Sequence, residues 1–236
     1  MKNHTLFSVS MIFILLIAFG CGEKEPPQVY RKGKTSPLKK DTNLIEVVGL
    51  PIYFDSTEYL IHPVGEIQTY DGKASSYVGI KSKGYESSGN LSNIFNVSGN
   101  FTQLYFQKSD SEVKKPLTNQ YLQIRAFTFL ESVDKSIHKK ILVYSVSDQD
   151  TNDDGTIDSN DSEALYVSYS SGQNFTRLTP PLQELIDWNI INAQHRLYFR
   201  TIEDTDKNGK FEKTDKLNHY YIDFDEEEFK VVPYQL

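Results

Sequence analysis

One cysteine, one tryptophan and two methionines stand among 236 residues. A single thiol excludes an internal disulfide framework and any zinc site built on several cysteines. Basic residues are in deficit, 25 Lys and Arg against 32 Asp and Glu, for a net charge of −7. Such a chain has no overall attraction for phosphate backbones, so nucleic acid is not an expected partner. The glycine-rich nucleotide loops, the G-x-S-x-G elbow and the H-E-x-x-H zinc motif are all absent. His62, His138, His195 and His219 are scattered singly and compose no acid–base or ligand constellation. Carboxylates are numerous enough for a glycosidase-like pair, but no pattern singles one out, and the chain reads as a protein without catalytic activity. Long apolar runs are missing too, apart from Met11–Phe19. What is abundant is aromatic: Phe, Tyr and Trp make up 13% of the chain, 15 of them Tyr. Tyrosine and phenylalanine suit pleated, half-buried surfaces.

The N-terminus reads MKNHTLFSVSMIFILLIAFGC, with Lys2 its only formally charged side chain. A short positive region, an apolar core and the small residues Ala18 and Gly20 ahead of Cys21 make a secretion signal, too short for a comfortable membrane span. This arrangement resembles a bacterial lipoprotein signal, from which it departs at Ala18 and Phe19. The resemblance implies that residues 1–20 are removed and that Cys21 becomes the lipidated first residue. It also implies attachment to a membrane of the bacterial envelope, with the outer membrane as the expected location. Acyl chains anchor by burying methylenes at ~0.8 kcal/mol each, so a multiply acylated Cys21 would hold firmly. After Cys21, the stretch to Asn43 carries three prolines, many charges and almost no apolar residues. It lacks the surface needed to fold, so 21–43 is read as a tether.

From Leu44 to the end the pattern is period two, or short apolar runs broken by Gly, Asn, Ser, Asp and Pro. Expected strands include 45–48, 59–64, 77–81, 93–97, 102–107, 121–130, 141–147, 164–169, 188–191, 196–201, 219–224 and 229–232. A turn or two of helix is expected around Pro181–Trp188. The fold class is therefore all-β with antiparallel sheets over 44–236.

Residues 141–169 and 196–224 share one layout, a strand, an acidic loop and a Tyr-rich strand, with Asp150 and Asp204 54 residues apart. Multi-strand repeats near this length are the pattern of propeller blades. The segment LYVSYSSGQNFTRLTPP (165–181) resembles the blade motif of TolB-type, WD-repeat-like propellers, and a weaker echo lies at 104–118. In that reading Gly172 turns a hairpin and Leu178 buries against the next blade. At ~45 residues per blade the domain holds about four, a small propeller, an incomplete ring or a stack of sheets.

The loops carry the strongest chemical signal. Loop one, DTNDDGTIDSND, places Asp150, Asn152, Asp154, Asp158 and Asp161 at positions 1, 3, 5, 9 and 12, with Gly155 at 6 and the Thr156 carbonyl at 7. Loop two, DTDKNGKFEKTD, repeats this with Asp204, Asp206, Asn208, Gly209, Lys210, Glu212 and Asp215. Converging oxygens at odd positions around a glycine turn suit a six-to-eight-coordinate Ca²⁺. Both loops resemble EF-hand and dockerin calcium loops, although position 12 is Asp and the flanks read as strands. They are more similar to the D-x-[DN]-x-[DN]-G-x-x-[DE] loop of integrin-type propellers. In that scheme Asp158 and Glu212 close the sites and Asp161 and Asp215 are left idle. Polar hairpin turns without metal are the alternative, which two copies at equivalent places disfavour. Lys207, Lys210 and Lys213 partly neutralise loop two, which is expected to bind more weakly.

The resulting expectation is a calcium-stabilised, membrane-anchored surface or periplasmic lipoprotein that binds a protein or a glycan. A TolB-like envelope scaffold factor is the alternative, with a propeller-type hydrolase behind it.

Overall fold

The apolar runs of this chain are short and interrupted, so they assemble as strands paired with sequence neighbours. The computed structural model describes Val29 and residues 44–70, 73–75, 81–84 and 94–235. The signal, Cys21 and most of the tether lie outside the described residues, as does most of the strand expected at 77–81. No helix among the described residues is long and apolar enough to cross a membrane.

All strand pairs are antiparallel. The larger sheet runs in the order β1 (Leu44–Val48), β3 (Tyr59–Tyr70), β6 (Ile94–Lys108), β8 (Gln123–Leu130), β9 (Ile141–Ser147), β10 (Ala164–Tyr169) and β11 (Thr176–Arg177). The short β2 (Ile52–Tyr53) and β4 (Lys73–Ser75) add to β3, and β5 (Lys81–Gly84) and β7 (Lys114–Pro116) add to β6. The second sheet is a meander of β12 (Gln183–Ile191), β13 (Arg196–Glu203), β14 (Lys216–Asp223) and β15 (Val232–Pro233). Both sheets are open, and the described residues form no closed ring of blades. The expectation of a mostly-β antiparallel fold therefore holds at the level of the sheets.

The repeat is visible as architecture. β8–β9–β10–β11 and β12–β13–β14–β15 are both four-strand meanders, each with an acidic loop between its second and third strands. β9 and β10 bury side chains on both faces, which accounts for their nearly continuous apolar sequences. Leu142, Tyr144, Val146, Ala164 and Tyr166 join one core cluster with Phe101, Phe127 and Phe129. The alternate residues Ile141, Val143, Leu165 and Val167 join a second cluster with Leu197, Phe199 and Ile222 of the smaller sheet. Leu178 belongs to that second cluster, so it wedges between the meanders. The Leu185 N–H also donates to the Glu163 carbonyl at 2.9 Å, which ties β12 to the start of β10.

The helical elements differ from the expectation. Pro181–Trp188 forms no helix: Leu182 has φ +61° and β12 starts at Gln183. Pairing with β13 outweighs the helical preference of Leu, Gln and Glu. The one α-helix among the described residues is α1 (Glu131–Ile137), seven residues long and so too short to display a 3.6 period. Glu131 and Lys135 pair across its single full turn at 2.7 Å, and His138 ends it in the left-handed region.

Gly172 makes the reversal expected of it, with φ +78° and its N–H donated to the Tyr169 carbonyl at 2.9 Å. A Cβ there would lie 2.7 Å from the Phe106 ring. Gly172→Ala is therefore expected to destabilise the domain by at least ~2 kcal/mol, through left-handed strain and overpacking together. A urea midpoint no lower than that of the parent protein would refute this reading of the turn.

Candidate metal centre

Each acidic loop is built by its own side chains bonding its own backbone, and the two networks correspond residue by residue. The position-1 aspartates turn the chain. Asp150 accepts the N–H groups of Asp154 (3.2 Å) and Gly155 (2.9 Å). Asp204 accepts those of Asn208 (3.1 Å) and Gly209 (3.0 Å). At position 3, Asn152 and Asp206 accept the position-5 N–H, each at 3.1 Å. At position 5, Asp154 and Asn208 accept the N–H of Thr156 and Lys210, each at 2.8 Å. Positive φ falls at positions 4 and 6 of both loops: Asp153 +58° and Gly155 +88°, Lys207 +62° and Gly209 +85°. Short polar side chains that cap backbone donors two to five residues away are the physical cause of this shape.

The position-12 residues are not idle. Asp161 is fully buried: Oδ1 accepts the N–H of Thr151 (2.7 Å) and Asn152 (3.3 Å), and Oδ2 accepts that of Asp158 (2.8 Å). Asp215, also buried, accepts the N–H of Thr205 (2.9 Å) and Glu212 (2.8 Å). These carboxylates stitch the end of each loop to its beginning and to position 9. Burial pushes the Asp161 carboxyl above its ordinary value, against the pull of the N–H groups it accepts.

In loop two one carboxylate oxygen from each of Asp204, Asp206 and Asp215 lies within 4.8 Å of the other two. Oxygens sharing one Ca²⁺ at 2.3–2.6 Å can be no more than about 5 Å apart, so this spacing fits a single cation. Positions 1, 3 and 12 are thus brought together, whereas Glu212 at position 9 is exposed and stands outside that group. In this loop position 12, left idle in the integrin-like scheme, lies beside positions 1 and 3. In loop one Asn152 occupies the place of Asp206 and Asp154 that of Asn208, so the carboxylates at positions 1, 3, 5, 9 and 12 are equal in number and distributed differently. The Asp158 carboxylate accepts the Asn160 N–H at 2.7 Å. Ile157 and Phe211 at position 8 are largely withdrawn from solvent, as anchors of the loops should be.

Loop one has a brace that the spacing did not reveal. Arg125 sits where the β8–β9 register shifts between Ile124 and Ala126, a bulge. Bulges re-aim side chains, and this one sends the guanidinium to loop one. Its Nη2 donates to the Ser147 hydroxyl (2.6 Å) and the carbonyls of Asp161 (2.7 Å) and Asp158 (3.3 Å), and its Nη1 to Glu163 (3.2 Å). The available signal was a lone charge inside the apolar run QIRAFTFL. Beside it, Glu184 of β12 accepts the Glu163 N–H at 2.7 Å. Burial, with the like charge of Glu163 adding to it, pushes the Glu184 carboxyl up to about 7.

A second feature lies on the outer face of the smaller sheet. The Arg196 guanidinium stacks 4.4 Å from the Tyr221 ring centre and bonds Asp223 at 2.9 Å. Both belong to an open cleft of about 560 Å³ rimmed by Glu226, Glu228 and Lys230, and Tyr198 and Tyr234 pack beside Tyr221.

Searches of known protein families, curated proteins and solved structures return no match to this chain.

Proposed function

We propose that the protein is a calcium-stabilised envelope lipoprotein, anchored through Cys21, whose β domain serves as a non-catalytic binding module. The observation that carries this reading is the duplicated loop network: two sets of oxygen side chains, 54 residues apart, repeat the same turns, and in loop two three carboxylates are gathered at a spacing that suits one ion. Like charges so gathered repel one another, and a divalent cation removes that cost. Asp150, Asn152, Asp154 and Asp161, with the Thr156 carbonyl and Asp158, would hold the ion in loop one. Asp204, Asp206, Asn208 and Asp215, with the Lys210 carbonyl and Glu212, would hold it in loop two. The ion would supply structural charge compensation, stiffening hairpins that project from the sheets. In the propeller-like reading the two four-strand meanders would be the blade-like units, the first of them continuous with the rest of the larger sheet. The cleft of the smaller sheet, where Arg196 stacks on Tyr221 among acidic side chains, is the surface for a protein or glycan partner.

The test is thermal unfolding of the mature chain in millimolar Ca²⁺ and in chelator. At tenfold excess over Kd, binding contributes ~1.4 kcal/mol per loop, or roughly 3–6 °C in a domain of this size. Asp150→Ala and Asp204→Ala should each remove part of the shift, and the double variant all of it. Coincident melting curves in Ca²⁺ and chelator would end the calcium reading.

A further inference from the structure

One edge of the larger sheet carries apolar side chains that the domain leaves uncovered. From Val47 to Phe54 the chain reads VVGLPIYF, with no charge between Glu46 and Asp55. β1 and β2 both pair with β3 on the side away from β6, so among the described residues this stretch is the outer edge of the sheet. It is held from within by Ile52, packed against the core, and by Phe54, buried and stacked on Phe129 with 5.2 Å between ring centres. The Gly49 N–H donates to the Pro63 carbonyl at 2.7 Å. Outward stand Val48, 62% exposed, Leu50, 81%, and Tyr53, 48%. Single exposed apolar residues are ordinary on a protein surface, but a contiguous, uncharged strip of them marks an interaction site.

A sheet edge invites another strand unless charge, proline or irregularity blunts it. Here the backbone is blunted and the side chains are not. Pro51 has no N–H, and the edge is broken between β1 and the two-residue β2, so a partner strand finds no continuous ladder. A lipid surface makes the opposite demand: apolar side chains with no backbone pairing, and an amphipathic ring such as tyrosine at the boundary with water. The chain that follows Cys21 also enters the domain at this edge. It joins at Leu44, the first residue of β1, and Leu50 lies six residues further on. At ~3.3 Å per residue that is no more than about 20 Å from the junction.

We propose that Val48, Leu50 and Tyr53 form a membrane-contacting edge, which dips into the lipid interface and orients the domain on the bilayer to which Cys21 ties it. This rests on the anchor reading above. The strip is too small to hold the protein by itself and does not have to, because a tether confines the domain near the surface at high effective concentration. What it sets is orientation. β1 is separated from β9 by four strand spacings in the sheet order, about 19 Å at ~4.8 Å each. The smaller sheet packs on β9 and β10. With the β1 edge on the bilayer, the smaller sheet is held off it and its cleft stays open to a partner.

The experiment reads depth in vesicles of phosphatidylcholine and phosphatidylethanolamine. The acylated protein receives one new thiol, by Pro51→Cys on the strip or by Val113→Cys or Leu217→Cys at exposed apolar positions elsewhere. Each thiol carries an environment-sensitive fluorophore, quenched by lipids with a nitroxide on the acyl chain. A second form, Cys21→Ser with an N-terminal histidine tag held on nickel-chelating lipid, supplies the anchor whether or not the native chain is acylated. The label at position 51 should be quenched in both forms and the labels at 113 and 217 in neither. Val48→Asp with Leu50→Asp should lower the ratio of docked to free domain about tenfold or more, the worth of returning one leucine-sized side chain to water. The melting temperature should be kept, since both side chains lie outside the core. Absence of quenching at position 51, or equal quenching at all three positions, would overturn the contact. Disulfide-linked dimers of unlabelled Pro51→Cys without lipid would overturn it in favour of an interface between copies. Mass spectrometry of the native N-terminus decides the anchor separately: an unlipidated Cys21 would remove that reading, and the tagged form would still decide whether this edge meets lipid.

Discussion

Arg125→Met is expected to destabilise the domain by about 3–5 kcal/mol, the range for breaking a charge pair withdrawn from water. Arg125 and Glu163 are both mostly buried, with side chains 21% and 25% exposed. Removing the guanidinium would strand the Glu163 carboxylate, the Ser147 hydroxyl and the carbonyls of Asp158 and Asp161 in one place. Methionine retains much of the apolar stem, so the loss isolates the polar brace. The effect should be largest in chelator, since the brace and the ion both order loop one. Arg125→Met/Glu163→Gln should recover part of the loss by removing the stranded charge. The exposed pair of Arg200 and Asp187 is the control, where solvent screening leaves little to lose. Urea midpoints of the four proteins decide the matter: an Arg125→Met midpoint equal to that of the parent would mean that loop one needs no support from β8.

Stability is expected to fall as pH rises from about 4.5 to about 7, because of Glu184. Its folded carboxyl is raised to about 7 from an ordinary 4.5, first by burial and then by the neighbouring charge of Glu163, while Arg125, Ser162 and the Glu163 N–H pull the other way. Below 4.5 the group is protonated in both folded and unfolded chains, so its favourable contribution is fully present. Between the two values only the unfolded chain releases the proton, and that contribution is lost. Each tenfold difference in proton affinity between the folded and unfolded chains is worth ~1.4 kcal/mol, so the change across the window is about 2–4 kcal/mol. Glu184→Gln keeps an acceptor for the Glu163 N–H and cannot ionise. It should flatten the profile and leave the variant more stable than the parent at pH 8. Denaturant titrations at pH 5 and 8 measure both proteins, and parallel profiles would show that Glu184 ionises in the fold at no cost.

Most strands and both loops were legible because their causes are local. β9 at 141–147 and β10 at 164–169 have the expected bounds, since buried β-branched and aromatic runs end where Ser, Asp and Gly begin. The strands expected at 93–97 and 102–107 are one long strand, β6. Gly99 and Asn100 look like a turn in one dimension, but they form an irregularity in the pairing of β6 with β8, between Ser98 and Phe101. The segment near Trp188 departs from expectation for the complementary reason. Its residues prefer a helix when isolated and take a strand because β13 is there to pair with.

The amino-acid sequence by itself determined the repeat, the antiparallel β class and the turns of the two acidic loops. Each rests on side chains acting on backbone groups a few positions away, and no distant partner is needed for an aspartate to cap its own loop. Only the tertiary structure decided that the two meanders sit in open sheets, that position 12 of loop two lies beside positions 1 and 3, and that a bulge aims Arg125 at loop one. Each of these depends on where residues remote in the chain come to lie. Packing and desolvation settle that, and spacing along the chain does not record it.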